Sequence, residues 1–127
     1  MTDRELMSQA KAASMNAYAP YSRFAVGAAL ECTDGTVFTG CNVENAAYGD
    51  TICAERTALV KAVSEGHRKF TAIAICGAPE GEMPDAPCMP CGACRQVLAE
   101  FGGEDMQIIL TDGVHMLGEL LPGRFSL

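Results

Sequence analysis

Two short stretches constrain the fold of this chain more than anything else in it: Thr51-Ile52-Cys53-Ala54-Glu55-Arg56 and Pro90-Cys91-Gly92-Ala93-Cys94-Arg95-Gln96. Each stands where a helix should start, because a loop rich in Gly, Asp or Pro precedes it and an apolar helical pattern follows. A cysteine at a helix start lies near unpaired backbone N–H groups and the positive end of the helix dipole. Both favour the thiolate, the form that binds metal. A fold that uses the two stretches for one purpose must bring two helix N-termini together on one ion.

Three Cys ligands, Cys53, Cys91 and Cys94, suit zinc, and three protein ligands with one open position describe a catalytic site rather than a closed structural one. A closed site needs a fourth ligand, for which Cys88, His67 and His115 are the candidates. Cys88 follows Pro87, outside the helix start that positions Cys91 and Cys94, and neither histidine has the short spacing of a zinc finger. The closed site remains the alternative at this point. Glu55 separates the two: two residues after Cys53, its carboxylate can reach a water in the open position without ligating zinc. The competing role for Glu55, completing a capping box, requires Ser or Thr three residues earlier, and that position is Ile52. Three thiolates on one dication leave a negative centre. Arg56, three residues after Cys53 on the same helix face, can donate hydrogen bonds to the sulfurs, or can be a solvated surface charge.

The rest of the chain reads as elements that carry these two starts. Residues 2 to 19 form a helical pattern capped by Thr2, with Leu6, Ala10, Ala13 and Ala17 at helical spacing, ended by Pro20. Phe24, Val26, Ala28, Leu30 and Cys32 alternate, and Asp34-Gly35 supplies a two-residue hairpin turn into a strand from Thr36 to Val43. The loop 42–50 leads to Thr51, a plausible N-cap of a helix running to about Glu65, with Gly66 as its stop. Thr71 to Cys76 is the β-branched run of a strand covered on both faces. Residues 77 to 90 read as a loop, and Pro90 opens a third helix that ends at Gly102-Gly103. Gln107 to Thr111 and Val114 to Glu119 flank Asp112-Gly113 as a C-terminal antiparallel hairpin.

At 127 residues the chain is expected to be a single domain, residues 1–127. Acidic residues outnumber basic ones 16 to 9, for a net charge of -7, so phosphate-rich partners such as nucleic acid or an anionic membrane surface are poorly matched. No segment is apolar enough to span a bilayer or serve as a leader, and seven cysteines, an odd number, do not suggest a secreted disulfide framework. A cytoplasmic location is expected.

With these residues in view, the sequence resembles the zinc-dependent cytidine deaminases of the small homotetrameric type. Zinc deaminases carry a ligand-x-Glu element followed by Pro-Cys-x-x-Cys. Here these are Cys53-Ala54-Glu55 and Pro90-Cys91-Gly92-Ala93-Cys94. Phe24-Ala25-Val26-Gly27-Ala28, Gly40-Cys41-Asn42-Val43-Glu44-Asn45, Cys94-Arg95-Gln96 and Leu121-Pro122-Gly123-Arg124-Phe125 are similar to further segments of the free-nucleoside enzymes. The resemblance implies a three-layer α/β/α fold around a mixed five-stranded sheet, and one zinc per chain. It also implies hydrolysis of cytidine or 2′-deoxycytidine to the uridine counterpart and ammonia, by a zinc-bound water that Glu55 activates. It further implies that Asn42 and Glu44 hold ribose hydroxyls, that Phe24 packs against the pyrimidine, that Ala54 also binds substrate, and that Ala46, Tyr48 and Phe125 face a neighbouring subunit's pocket. On their own, Asn42 and Glu44 read equally as loop residues and Phe24 as core. Cys88 departs from the ligand pattern and is expected to be a bystander.

Three rivals share part of this pattern. A blasticidin-type deaminase has similar size and zinc motif, but Arg56 and the run Asn42-Val43-Glu44-Asn45 favour the nucleoside enzyme. Editing of a base within RNA or DNA is opposed by the acidic balance, since phosphate contacts need Lys and Arg. A zinc-stabilised interaction module has no need of Glu55 beside an open zinc position.

Overall fold

The computed structural model describes residues 1–127. Helix α1 (Asp3–Ser14) opens on a reciprocal cap: Thr2 Oγ1 accepts from the Glu5 N–H at 3.1 Å, and Glu5 Oε1 accepts from the Thr2 N–H at 3.3 Å. It ends well before Pro20, because the next residues are claimed elsewhere. The Tyr18 N–H donates to the Asn42 carbonyl at 3.0 Å and the Tyr18 carbonyl accepts from the Glu44 N–H at 2.8 Å.

Strands β1 (Phe24–Cys32) and β2 (Val37–Cys41) form the first hairpin. Its turn is longer than Asp34-Gly35 alone. The Gly35 N–H donates to the Cys32 carbonyl, the Cys32 N–H donates to the Thr36 carbonyl, and Gly35 sits at φ +91°. That is a tight turn followed by a left-handed residue. β2 stops at Cys41 rather than Val43, because Val43 pairs with Tyr18 and Ile52 instead. Helix α2 (Ala54–Ser64) follows, then β3 (Phe70–Pro79), which outruns the expected Thr71–Cys76. β1 accompanies it to the end, with Phe24 opposite Pro79. After α3 (Gly92–Phe101), β4 (Gln107–Leu110) and β5 (Gly113–Met116) close the second hairpin around Thr111-Asp112, one residue earlier than the sequence suggests. The strand expected to reach Glu119 gives way to a short helix, α4 (Leu117–Leu120), because Leu117 is fully buried and its N–H donates to the Met106 carbonyl.

The sheet order is β2-β1-β3-β4-β5, antiparallel except for the parallel β3–β4 pair, which is the mixed five-stranded sheet expected. β3 is central, and alternate residues serve opposite layers. Ile73 and Ile75 pack with α2 and α3 residues such as Leu59 and Leu98, whereas Ala72, Ala74 and Cys76 pack with Leu6 and Ala10 of α1. Small side chains let the helices come close. A Cβ on Gly27 would lie 2.0 Å from the Ala10 carbonyl oxygen, and one on Gly40 would lie 2.5 Å from the Ala58 nitrogen and 2.7 Å from the Ala54 oxygen. Gly40 thus seats the first turns of α2 directly on β2.

Candidate active site

Both expected helix starts lie at the same end of the layer formed by α2 and α3, but each helix begins later than the sequence suggests. Ile52 exchanges both backbone hydrogen bonds with Val43, at 2.9 and 3.0 Å, so the chain cannot turn helical before Cys53. Cys53, not Thr51, is therefore the N-cap of α2, and Cys91, not a residue before Pro90, is the N-cap of α3. Cys94 falls in the first turn of α3, where its N–H points at Cys91 Sγ at 3.5 Å.

This arrangement gathers the three thiols. Cys53 Sγ and Cys91 Sγ are 3.8 Å apart, and all three sulfurs lie within 4.8 Å of one another. Hydrogen bonds from Cys94, and then from Arg56 and Cys91, outweigh the opposing effect of burial and lower the Cys53 pKa to about 5. The partner that supplies the proton, Cys94, is pushed the other way. Arg56 Nη2 stands 3.5 Å from Cys53 Sγ and donates to the Thr51 carbonyl at 3.3 Å, while its Nε is buried without a partner. A guanidinium fixed against the sulfurs is what a dication with three thiolates requires to offset its surplus negative charge. The donor set and its cationic neighbour fit zinc.

The three candidates for a fourth ligand stand apart from this cluster. His67 lies beside Asp34 and His115 beside Asp112. Cys88 does reach the neighbourhood, but burial, with the Glu55 carboxylate adding to it, pushes its thiol up to about 11. Its sulfur is not among the three that lie within 4.8 Å of one another.

Glu55, in the first turn of α2, is only 4% exposed. Burial raises its pKa above the usual carboxylate range, partly opposed by its own backbone N–H. It lines a cleft of about 280 Å³ together with Cys53, Cys91, Ala54, Phe24, Asn42 and Glu44. Apolar and polar groups divide this lining. Phe24 keeps part of its ring exposed at the mouth, beside Val26 and Cys88. Asn42 Oδ1 accepts from the Val26 N–H at 2.9 Å and Nδ2 donates to the Phe24 carbonyl at 2.8 Å. One N–H and one lone pair of the amide remain for a ligand. Glu44 accepts from the backbone N–H groups of Tyr21 and Ser22 at 3.0 and 3.1 Å and from the Ser22 hydroxyl. The Ser22 hydroxyl is the leading cause of a pKa below the ordinary carboxylate value.

The three residues assigned to a neighbour's pocket fall in different places. Tyr48 lines this chain's own cleft and meets Tyr21 edge to face, with centroids 6.4 Å apart. Ala46 is exposed outside the cleft lining. Phe125 is 67% exposed, and its carbonyl accepts from Gln96 Nε2 at 3.2 Å on another part of the surface. Sequence reasoning missed Ser22 and Gly77. A Cβ on Gly77 would lie 2.9 Å from both Cys88 Sγ and Phe24 Cε1, so this glycine lets the two side chains close over β3 as a wall of the cleft. Neither residue carries a local signal, because their partners are more than ten residues away in sequence.

Comparison with known proteins points the same way as the geometry. The family described as the cytidine and deoxycytidylate deaminase zinc-binding region matches residues 1–110. A cytidine deaminase of Sporosarcina psychrophila is 49% identical over 99% of this chain and 93% of its own length. The solved cytidine deaminase of Burkholderia pseudomallei is 52% identical with a TM-score of 0.89, covering 98% of this chain and all of its own. That of Mycobacterium tuberculosis is 44% identical, also with a TM-score of 0.89, covering 100% of this chain and 99% of its own. The match takes in both stretches that bring the thiols and Glu55 together, and the chain belongs to the cytidine and deoxycytidylate deaminase zinc-binding family.

Proposed function

We propose that the chain hydrolyses cytidine and 2′-deoxycytidine to uridine and 2′-deoxyuridine with release of ammonia, a step of pyrimidine salvage. The observation that carries this reading is Glu55, a buried carboxylate at the floor of the cleft beside three thiols and not one of them. Cys53, Cys91 and Cys94 would hold one zinc, which when bound lowers the pKa of water toward about 7. Arg56 balances charge on the thiolates.

Glu55 moves the protons. It takes one from the attacking water and delivers it to ring N3 as the water oxygen bonds to C4. It then passes the second to the departing amine, so that water enters and ammonia leaves with Glu55 unchanged. Burial suits this task, since a carboxylate of raised proton affinity both accepts and returns a proton. Phe24 supplies an apolar face for the pyrimidine, with Ala54 at its edge. The spare N–H of Asn42 and a free lone pair of Glu44 meet ribose hydroxyls, both groups being oriented in advance by their bonds to β1 and to Ser22. The cleft lining holds no Lys or Arg and does hold Glu44, which favours a nucleoside over a nucleotide.

The assembly is a homotetramer in this reading, supported by exposed aromatics Tyr18, Tyr21, Tyr48 and Phe125 on one small chain. Ala46 and Phe125, exposed outside this chain's own cleft, complete a neighbour's, whereas Tyr48 serves the cleft of its own chain. No helix is long and apolar enough to cross a membrane, and seven unpaired cysteines suit the reducing cytoplasm. Incubation of the purified protein with cytidine, followed by ultraviolet absorbance, tests the activity; sedimentation velocity tests the assembly.

A further inference from the structure

A second set of metal-ligating side chains lies at the opposite end of β1 from Phe24. Cys32 Sγ, an Asp34 carboxylate oxygen and a His67 ring nitrogen all fall within 4.8 Å of one another. They come from three pieces of chain: the last residue of β1, the hairpin turn, and the loop between α2 and β3. The backbone holds the three in place. Pairing of β1 with β3 shifts register between Glu31 and Cys32, an irregularity of the kind that re-aims a side chain. The Thr33 N–H donates to the Lys69 carbonyl at 3.1 Å, tying the turn to the loop that carries His67.

The side chains are oriented as well. Asp34 Oδ1 accepts from the Thr36 N–H at 3.0 Å, and Asp34 Oδ2 faces His67 Nδ1 at 3.6 Å. The His67 ring packs against Phe38, with centroids 5.0 Å apart. Arg68, which lines the same hollow, is turned away to the Val63 carbonyl at 2.8 Å. The hollow, about 280 Å³ and bounded also by Thr33, Gly66 and Lys69, leaves room for water ligands. One thiolate, one carboxylate and one neutral imidazole sum to the charge that neutralises a dication, and this mixed set suits a borderline-soft transition metal rather than calcium or magnesium.

We propose that Cys32, Asp34 and His67 form a second divalent-metal site of the zinc or cobalt class, separate from the thiols at the helix starts. Binding forms a metal–sulfur bond and releases the Cys32 proton to solvent. The ion would clamp the β1–β2 turn to the chain entering β3.

The test counts metal. Protein equilibrated with excess Zn²⁺ and then dialysed free of loose metal should carry about two zinc ions per chain, and His67→Gln and Asp34→Asn about one. Co²⁺ added to protein already holding its first zinc should give thiolate-to-cobalt absorption that is absent from Cys32→Ser. Because Cys32 is buried, His67→Gln, on a half-buried surface position, keeps the test decisive if Cys32→Ser does not fold. Unchanged cytidine turnover of His67→Gln checks that the variant is native. A wild-type chain that stops at about one zinc, or a His67→Gln chain that keeps the second, overturns the assignment.

Discussion

Replacing Gly40 with alanine is a test of how the fold places the metal ligands. The added Cβ would lie 2.5 Å from the Ala58 nitrogen, 2.7 Å from the Ala54 oxygen and 2.9 Å from Thr57 Cβ, against an ordinary contact of at least 3.4 Å. The first two are backbone atoms of α2, so no rotamer change relieves them, and the helix must withdraw by roughly 0.9 Å. Overpacking of this kind costs about 1–3 kcal/mol, and a backbone clash belongs at the upper end. For a chain of this size that is a fall in Tm of roughly 10 °C. The start of α2 carries Cys53 and Glu55. A displacement near 1 Å there is expected to lower kcat/KM for cytidine about a hundredfold. Thermal unfolding and steady-state kinetics on the zinc-loaded variant read both effects. If Gly40→Ala keeps wild-type Tm and kcat/KM, the seating of α2 on β2 does not set the geometry of the site.

Further expectations concern single groups around the cleft. Gly77→Ala meets the side-chain ends of Cys88 and Phe24 at 2.9 Å and Val26 Cγ2 at 3.1 Å, and the first two can rotate into the cleft, so KM for cytidine should rise roughly tenfold with little change in Tm; Cys88→Ala in the same chain should recover part of that loss, and no recovery at all would refute the wall. Arg56→Gln should weaken zinc binding about 10–100-fold, measured by chelator competition, and unchanged affinity would make Arg56 a surface charge. The Glu44 carboxylate is held below its ordinary value of 4.5, chiefly by the Ser22 hydroxyl, so its contribution to stability is present above that value and lost as pH falls through the depressed one. Ser22→Ala should therefore lose stability above pH 4.5 and flatten the acid limb of Tm against pH, whereas an unchanged profile would show the bond to be inert.

What the sequence made legible was local. Thr2 with Glu5, the apolar run of β3 and the pairing of Cys53-Ala54-Glu55 with Pro90-Cys91-x-x-Cys94 each announce themselves within a few residues, and each stands in the structure where those signals put it. What was hidden depends on partners distant in sequence. Helix propensity continues past Ser14, but the bonds of Tyr18 to Asn42 and Glu44 end α1 there. Thr51 has the chemistry of an N-cap, yet Ile52 is held extended by Val43, and the cap passes to Cys53. The same long-range placement turned Ser22 into the partner of Glu44 and set Cys32 beside His67, two relations that no spacing along the chain encodes.

The measurement that bears most directly on the central claim compares wild type with Glu55→Ala for zinc content and cytidine turnover in the same preparations. Wild type should carry zinc at the helix-start thiols and convert cytidine to uridine, seen as a loss of cytidine absorbance. Glu55→Ala should fold, retain that zinc and lose nearly all turnover, because it removes the proton carrier and no ligand. A variant that loses the metal, or one that keeps turning over cytidine with zinc bound, would contradict the account.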